Sequence, residues 1–531
     1  MKPLLGALAL GTALTLLAAG ATHAAPALPS TNVAWLAAAS DADVDRAFSK
    51  ARTEAKPVLM YWGATWCPPC NQLKATFFNR QDFAVQSRSF VAVHVDGDRP
   101  GAQRVGTRFK VSGYPTVVLF TPQGVEITRL PGEVDAEQMM TVLQLGLSGG
   151  RPVKDVLADA RASKALTANE WRMLAYYSWD TDEQQLVPKA EVPALLGQLA
   201  ALSVLTANSP GADAEITTRL WLKALGASDD GKGIKPDAAL KVRVERVLSD
   251  AALSRLHSDV LTGDAKDIVR VLSSDDSGDR APLLALFETS LKRLEIDTTL
   301  SRGDRIGALI ARINLARMGQ PKDATAVTMP EALRQEVIEH AARVDREVVD
   351  GYEREMIISA AGYALSQAGL WAQSEALLTS NLKRAQSPYY LMSQLGGNAR
   401  KLGKKDDALR WYGQAFETSV GPATRLQWGS GYLAALVDLS PTDAKRIEKT
   451  AARLIAEAAK DQGAFSGRSV RSMQRVSTKL VSWNADGKQA AVLRRLQAQL
   501  APVCAKATPA AGQREACQKL LRPAPAVPAK A

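Results

Sequence analysis

The chain has 531 residues, 46% of them apolar and 23% charged, with a net charge of +11. That length exceeds what one hydrophobic core normally organises, so several domains are expected, and the apolar content excludes a disordered chain. Lys and Arg are scattered among Asp and Glu along helical stretches, with no Arg-rich block carrying interleaved aromatics, so nucleic acid is not expected as a partner.

Lys2 precedes an apolar run from Leu4 to Ala19, followed by small residues around Thr22-His23-Ala24. This is the pattern of a secretory signal over 1–24, cleaved after Ala24, and it points to export, with a bacterial periplasm as the destination. The rival reading is an uncleaved anchor, but the run is short for a spanning helix. No later segment is a long uninterrupted apolar stretch, so no stable membrane insertion is expected after cleavage. Residues 25–39 form an Ala/Pro/Ser-rich lead, and 40–148 read as a first domain.

In that domain a helix is predicted from Asp41 to Glu54, capped by Asp41 or Ser40, with Val44, Ala47, Phe48 and Ala51 as its apolar stripe. Lys56-Pro57 stops it. Val58 to Trp62 reads as a buried strand; Cys67 and Cys70 follow, then a helix to about Phe78. Phe90 to Val95 is a second strand, ended by Asp96-Gly97-Asp98, and Arg99 to Lys110 a helix. Thr116 to Phe120 is a third strand, joined through Thr121-Pro122-Gln123-Gly124 to a fourth, Val125 to Leu130. A helix from Val134 to Leu147 closes the unit. This order implies an α/β domain with parallel central strands, an antiparallel edge and helices on both faces.

A linker is expected over 149–153. Beyond it the chain reads as helices, all-α over 154–350 and repeat-like over 351–522, with a Pro/Ala-rich tail expected to be disordered over 523–531. Gly362, Gly369, Ser374 and Leu378 recur 34 residues later as Gly396, Gly403, Ala408 and Tyr412. The second unit resembles a tetratricopeptide repeat, in which small residues sit where antiparallel helices press together. Trp371, Trp411, Tyr412 and Trp428 fall at helical spacing and read as core. The region's expected role is to dock partners.

The chain has four Cys, in two well-separated pairs. Cys67-x-x-Cys70 lies between a strand and a helix, and a helix N-terminus stabilises thiolate, the reactive form. Cys67 is therefore expected partly exposed, as the nucleophile that attacks a disulfide, and Cys70 deeper, as the thiol that resolves the mixed disulfide. Zinc needs about two further ligands, and His94, His257 and His340 form no cluster with the pair; no metal and no cofactor are expected. Cys504 and Cys517 flank Pro509 and Gly512 and read as a structural disulfide worth roughly 3 kcal/mol; the alternative is a redox relay to the first pair.

Trp66 before Cys67, the strand ahead of the motif, Gly113-Tyr114-Pro115-Thr116 before the third strand, and Gly132 after the hairpin together resemble the thioredoxin-fold family. Lys56-Pro57-Val58-Leu59 leading into Trp66-Cys67-Pro68-Pro69-Cys70 narrows the resemblance to periplasmic thioredoxin-like disulfide reductases. The resemblance implies a cis Pro115 facing the Cys pair, with Tyr114 backbone free to meet a substrate. It also marks two departures. The buried acid six residues before the first Cys is replaced by Tyr61, a poor base at neutral pH, leaving water or a group such as Asp96 to move the proton of Cys70. Pro68-Pro69 replaces Gly-Pro, and neither proline has an N–H to offer the Cys67 sulfur. The function expected is disulfide reduction or isomerisation in client proteins, with an upstream thiol donor or acceptor. The alternative is a helical scaffold that uses its thioredoxin-like domain for binding.

Overall fold

The structure, a computed structural model, describes residues 33–522 apart from 183, 206–211, 229–232, 275–277 and 509–511. The expected signal over 1–24, most of the lead and the tail lie outside the described residues.

The N-terminal unit is a five-stranded sheet in the order β1-β3-β2-β4-β5, made of β1 (Leu36–Ala38), β2 (Val58–Gly63), β3 (Val91–Asp96), β4 (Thr116–Phe120) and β5 (Glu126–Leu130). β1 and β2 run parallel to β3, whereas β2/β4 and β4/β5 are antiparallel. The helices are α1 (Asp41–Glu54), α2 (Pro68–Ala75), α3 (Gln81–Gln86), α4 (Ala102–Arg108) and α5 (Ala136–Leu147). The sheet therefore has the expected mixed pattern, with two additions, β1 inside the lead and the six-residue α3. The helix expected over Arg99 to Lys110 is shorter at both ends, where Gly101 ahead of it and Lys110 after it take left-handed φ values of 84° and 53°.

Local chemistry explains the boundaries. Ser40 caps α1 and, with Asp43, forms a reciprocal capping box. Ala55 turns left-handed after it, ahead of Pro57. Asp135 caps α5 by accepting from the N–H groups of Glu137 and Gln138. Every residue of β2 is buried, as a strand covered on both faces requires.

One face of the sheet packs Met60, Trp62, Val93, Val95, Val118 and Phe120 against α1 and α4. The other packs Leu59, Tyr61, Ala92, Val117 and Leu119 against α2 and α5, and this second core continues without a break into the helices beyond, through Val156, Leu157, Trp171 and Leu196 to Ala224. The remaining chain is helical. A methyl on Gly362 would lie 2.5 Å from Leu378, and one on Gly396 would lie 3.0 Å from the Tyr412 ring. Small residues therefore let successive helices approach at matching positions. Among the described residues, no helix is long and apolar enough to cross a membrane.

Candidate active site

Cys67 occupies the N-cap of α2, with Pro68 and Pro69 in the first turn. Since neither proline carries an N–H, the first backbone donor of the turn is Cys70, whose N–H points at Cys67 Sγ at 3.3 Å. Cys67 and Cys70 are joined in a disulfide. Across from it, the Tyr114–Pro115 peptide bond is cis, and the Tyr114 carbonyl oxygen lies 3.5 Å from Cys67 Sγ. Gly132 keeps the space beside Pro115 clear; a methyl there would sit 3.4 Å from the ring.

Exposure departs from the sequence reading. The helix-start position predicts a partly exposed Cys67. Instead Cys67 is 3% exposed, Cys70 0% and Trp66 8%. The cause is the helical region, which closes over the pair. Tyr390, from the helix Pro388–Lys401, stacks on Trp66 with ring centroids 6.2 Å apart. Trp428, from the helix Pro422–Leu439, meets Trp66 edge-on at 6.0 Å and Tyr390 at 5.9 Å. Arg468, in the first turn of the helix Gly467–Trp483, places its guanidinium 4.6 Å from the Trp66 ring centroid and 4.8 Å from that of Tyr114. Trp428 is thus part of the site's cover, not only of a helical core.

Asp98 ties the two sides together. Its carboxylate accepts from the Trp66 indole N–H at 2.8 Å and from the Thr424 hydroxyl. Burial pushes this carboxyl up to about 6, against the opposing pull of the Thr424 bond, the Arg468 charge and the Trp66 bond. A second link runs through Gln103, whose side-chain amide donates to Tyr114 Oη at 2.8 Å while its oxygen accepts the Arg468 N–H at 2.8 Å.

Behind the pair, Tyr61 stacks on His94 with centroids 4.9 Å apart, and its hydroxyl is buried without a hydrogen-bond partner. Burial holds the phenol far above its usual range, so it is no base for Cys70. Asp96 is half-buried and accepts the Asp98 N–H at 3.1 Å. Lys74 stands one turn beyond Cys70 with its ammonium 5.2 Å from the Tyr352 ring centroid, and burial lowers its pKa. Far along the chain, Cys504 and Cys517 are bonded, with Cα atoms 5.4 Å apart, inside a separate core of the C-terminal helices.

The structure thus brings together Trp66, Cys67, Pro68, Pro69, Cys70, Tyr114 and Pro115, with Tyr61 behind them. Sequence reasoning missed Asp98, Tyr390, Thr424, Trp428 and Arg468. Asp98 had a faint signal, an acid just past a strand end; the other four come from helices far downstream with no motif to mark them.

The thioredoxin-like domain family matches residues 44–146. The chain is similar to thiol:disulfide interchange protein DsbD 2 of Pseudomonas aeruginosa, 30% identical over 122 residues, 22% of this chain and 21% of that protein. To DsbD 1 of the same organism it is 32% identical over 120 residues, 22% of this chain and 20% of that protein. It therefore spans about a fifth of the length of those two relatives. To the thioredoxin-like protein slr0233 of Synechocystis it is 34% identical over 90 residues, 17% of this chain and 81% of that protein. Among solved structures, oxidised thioredoxin O1 of Arabidopsis thaliana is 21% identical and covers 21% of this chain and 95% of its own, with a TM-score of 0.18.

Proposed function

The chain belongs to the thioredoxin-like family, and from that premise we propose that it is an exported disulfide reductase or isomerase, acting on client proteins through Cys67 and Cys70. The observation that carries this reading is the bonded pair at the N-cap of α2, facing the Tyr114–Pro115 loop. Cys67 is the attacking thiol and Cys70 the resolving one. A binding module has no need of two thiols one helical turn apart.

Export to a periplasm is supported by the Lys2-to-Ala24 pattern. The poise is proposed to be reducing. Cys67 has lost the two N–H groups that a non-proline turn would aim at its sulfur, so its thiolate is less stabilised and the reduced form less favoured. Equilibration with glutathione is expected to give a midpoint nearer about −270 mV than about −120 mV, the values of a thioredoxin and of a strong periplasmic oxidant.

The burial of the pair favours one other reading, a scaffold whose thioredoxin-like domain only binds. Insulin reduction separates the two. Wild type is expected to turn over and Cys67→Ser to lose at least about a hundredfold, the scale of removing a nucleophile. Equal rates in both would leave only the scaffold.

A further inference from the structure

In the closed arrangement a protein disulfide has no path to Cys67, which is 3% exposed. Thiol–disulfide exchange requires the two sulfurs to meet, so under the exchange reading proposed above the cover must move. Its attachments at this point are particular. Two hydrogen bonds cross here, a charge-assisted one from the Thr424 hydroxyl to Asp98 and one from the Arg468 backbone N–H to the Gln103 side-chain oxygen. One guanidinium, Arg468, lies between the Trp66 and Tyr114 rings. Two aromatic contacts join Trp66 to Tyr390 and Trp428. The cover thus rests on Trp66 and Tyr114, the residues beside the sulfurs that an incoming client would touch. Away from the pair the domain is also held by the apolar core that runs on through Val156, Leu157, Trp171 and Leu196, a core on which Tyr390 and Trp428 pack as well. Shifting those two rings therefore does not require the two parts of the chain to separate.

We propose that Tyr390, Thr424, Trp428 and Arg468 determine access and specificity for exchange at Cys67: at rest they seal the pair, and once displaced they present a wall of aromatic rings with one cation to the client. The clients admitted carry an extended apolar or aromatic segment beside their disulfide. Once an upstream dithiol has exchanged with the Cys67–Cys70 bond and left both as thiols, itself becoming the disulfide, and with the wall displaced, the Cys67 thiolate bonds to one client sulfur as the client S–S bond breaks, and the released sulfur takes up a proton. The Cys70 thiolate then bonds to Cys67 and frees the second client sulfur, which is protonated in turn. The client gains the two electrons that the pair loses.

The test uses the full chain, mildly reduced, with labelling mapped by peptide mass to Cys67. Iodoacetamide probes the thiol itself, and a maleimide on a polyethylene glycol chain of several kilodaltons probes access. In wild type the bulky reagent is expected to lag the small one by about tenfold more than it does on an unstructured cysteine peptide. Thr424→Val, which keeps the shape and removes the hydroxyl, is expected to narrow that lag by about tenfold, the lower end of the effect of losing a hydrogen bond to a charged group. Arg468→Gln and Trp428→Leu are expected to act in the same direction, and Thr424→Ser to retain the wild-type lag. A wild-type lag no greater than the peptide's, or one unchanged by Thr424→Val and Arg468→Gln, would overturn the proposal. A variant that unfolds is recognised by loss of its helical circular dichroism, and Thr424→Ser against Thr424→Val keeps the comparison between folded chains. Among cystine peptides, those flanked by Phe or Trp are expected to be reduced faster than those flanked by Asp, and Trp428→Leu to shrink the preference; equal rates would sink the specificity claim. Labelling needs no turnover, so it fails or holds separately from the Cys67 dependence of insulin reduction.

Discussion

At Asp98 two demands compete. Its carboxylate holds the Trp66 indole and the Thr424 hydroxyl, which favours the charge, while burial disfavours it more strongly and neighbouring Asp96 adds to that; Arg468 opposes both. The sign of the pH dependence follows. A carboxyl whose pKa is raised on folding, from 3.8 to about 6, contributes stability that is full below the lower value and lost as pH rises through the upper one. Asp98→Asn cannot titrate. Its stability relative to wild type is therefore expected to improve between about pH 4 and about pH 7.5, by at most roughly 3 kcal/mol. Chemical denaturation of both proteins across that range measures this, and a constant difference would contradict it. The same scale shows what a sequence conceals. Tyr61 was legible as a departure from the usual acid, because its spacing from Cys67 is fixed by one strand. Trp428 was not legible as part of the site, since an aromatic at helical spacing looks the same whether it faces its own bundle or a distant active site.

Secondary-structure elements carry their own logic, and those that place the sulfurs are short-range. β2, the central strand, ends just ahead of the site, two prolines start α2, and the Cys pair falls on its N-cap and first turn. That much was readable, as were β4, β5 and α5, because each has a strong apolar pattern or a capping residue. β1 was not: it is three residues of an Ala-rich lead whose pairing partner β3 lies more than fifty residues away. α3 has six residues and no side-chain cap, so nothing local announces it. At the other end of the chain, the helices Ala490–Lys506 and Gln513–Gln518 are stapled by Cys504–Cys517. Both cysteines are buried with Leu496, Leu500, Leu520 and Leu521 in a core that contains none of the residues around Cys67. The double variant Cys504→Ser/Cys517→Ser is accordingly expected to lose about 3 kcal/mol of stability while insulin reduction at moderate temperature stays within about twofold of wild type. A collapse of activity in a variant that remains folded would instead assign the pair to a relay.

The whole molecule is held together less like two domains on a tether than the glycine-rich stretch at 148–152 suggests. Arg129 in β5 is fully buried, and its guanidinium donates to the carbonyls of Phe109 and Lys110 in its own domain and of Thr181 beyond it. The Arg129 carbonyl in turn accepts the Ser178 N–H at 3.1 Å. Glu133 pairs with the buried Lys223, Asp135 with Arg255 at 2.9 Å, Gln72 donates to Asp304 at 3.0 Å, and Asp461 accepts the Gly101 N–H at 2.9 Å. The helical chain thus touches the thioredoxin-like unit from residue 178 to beyond 460. Between these polar points runs the shared apolar core, in which each fully buried Leu, Val or Phe is worth ~1.5–3 kcal/mol. A protease site inserted between Gly149 and Gly150, where the backbone is accessible, is therefore expected to be cut without releasing either part. The nicked protein should elute from a sizing column as one particle and unfold in one transition, because removing a tether does not remove a core. Elution of the N-terminal fragment alone would show that the shared core is too weak to hold the two parts. It would also remove the hold on the domain away from the pair, which allows the cover over Cys67 to move while the rest of the molecule stays assembled.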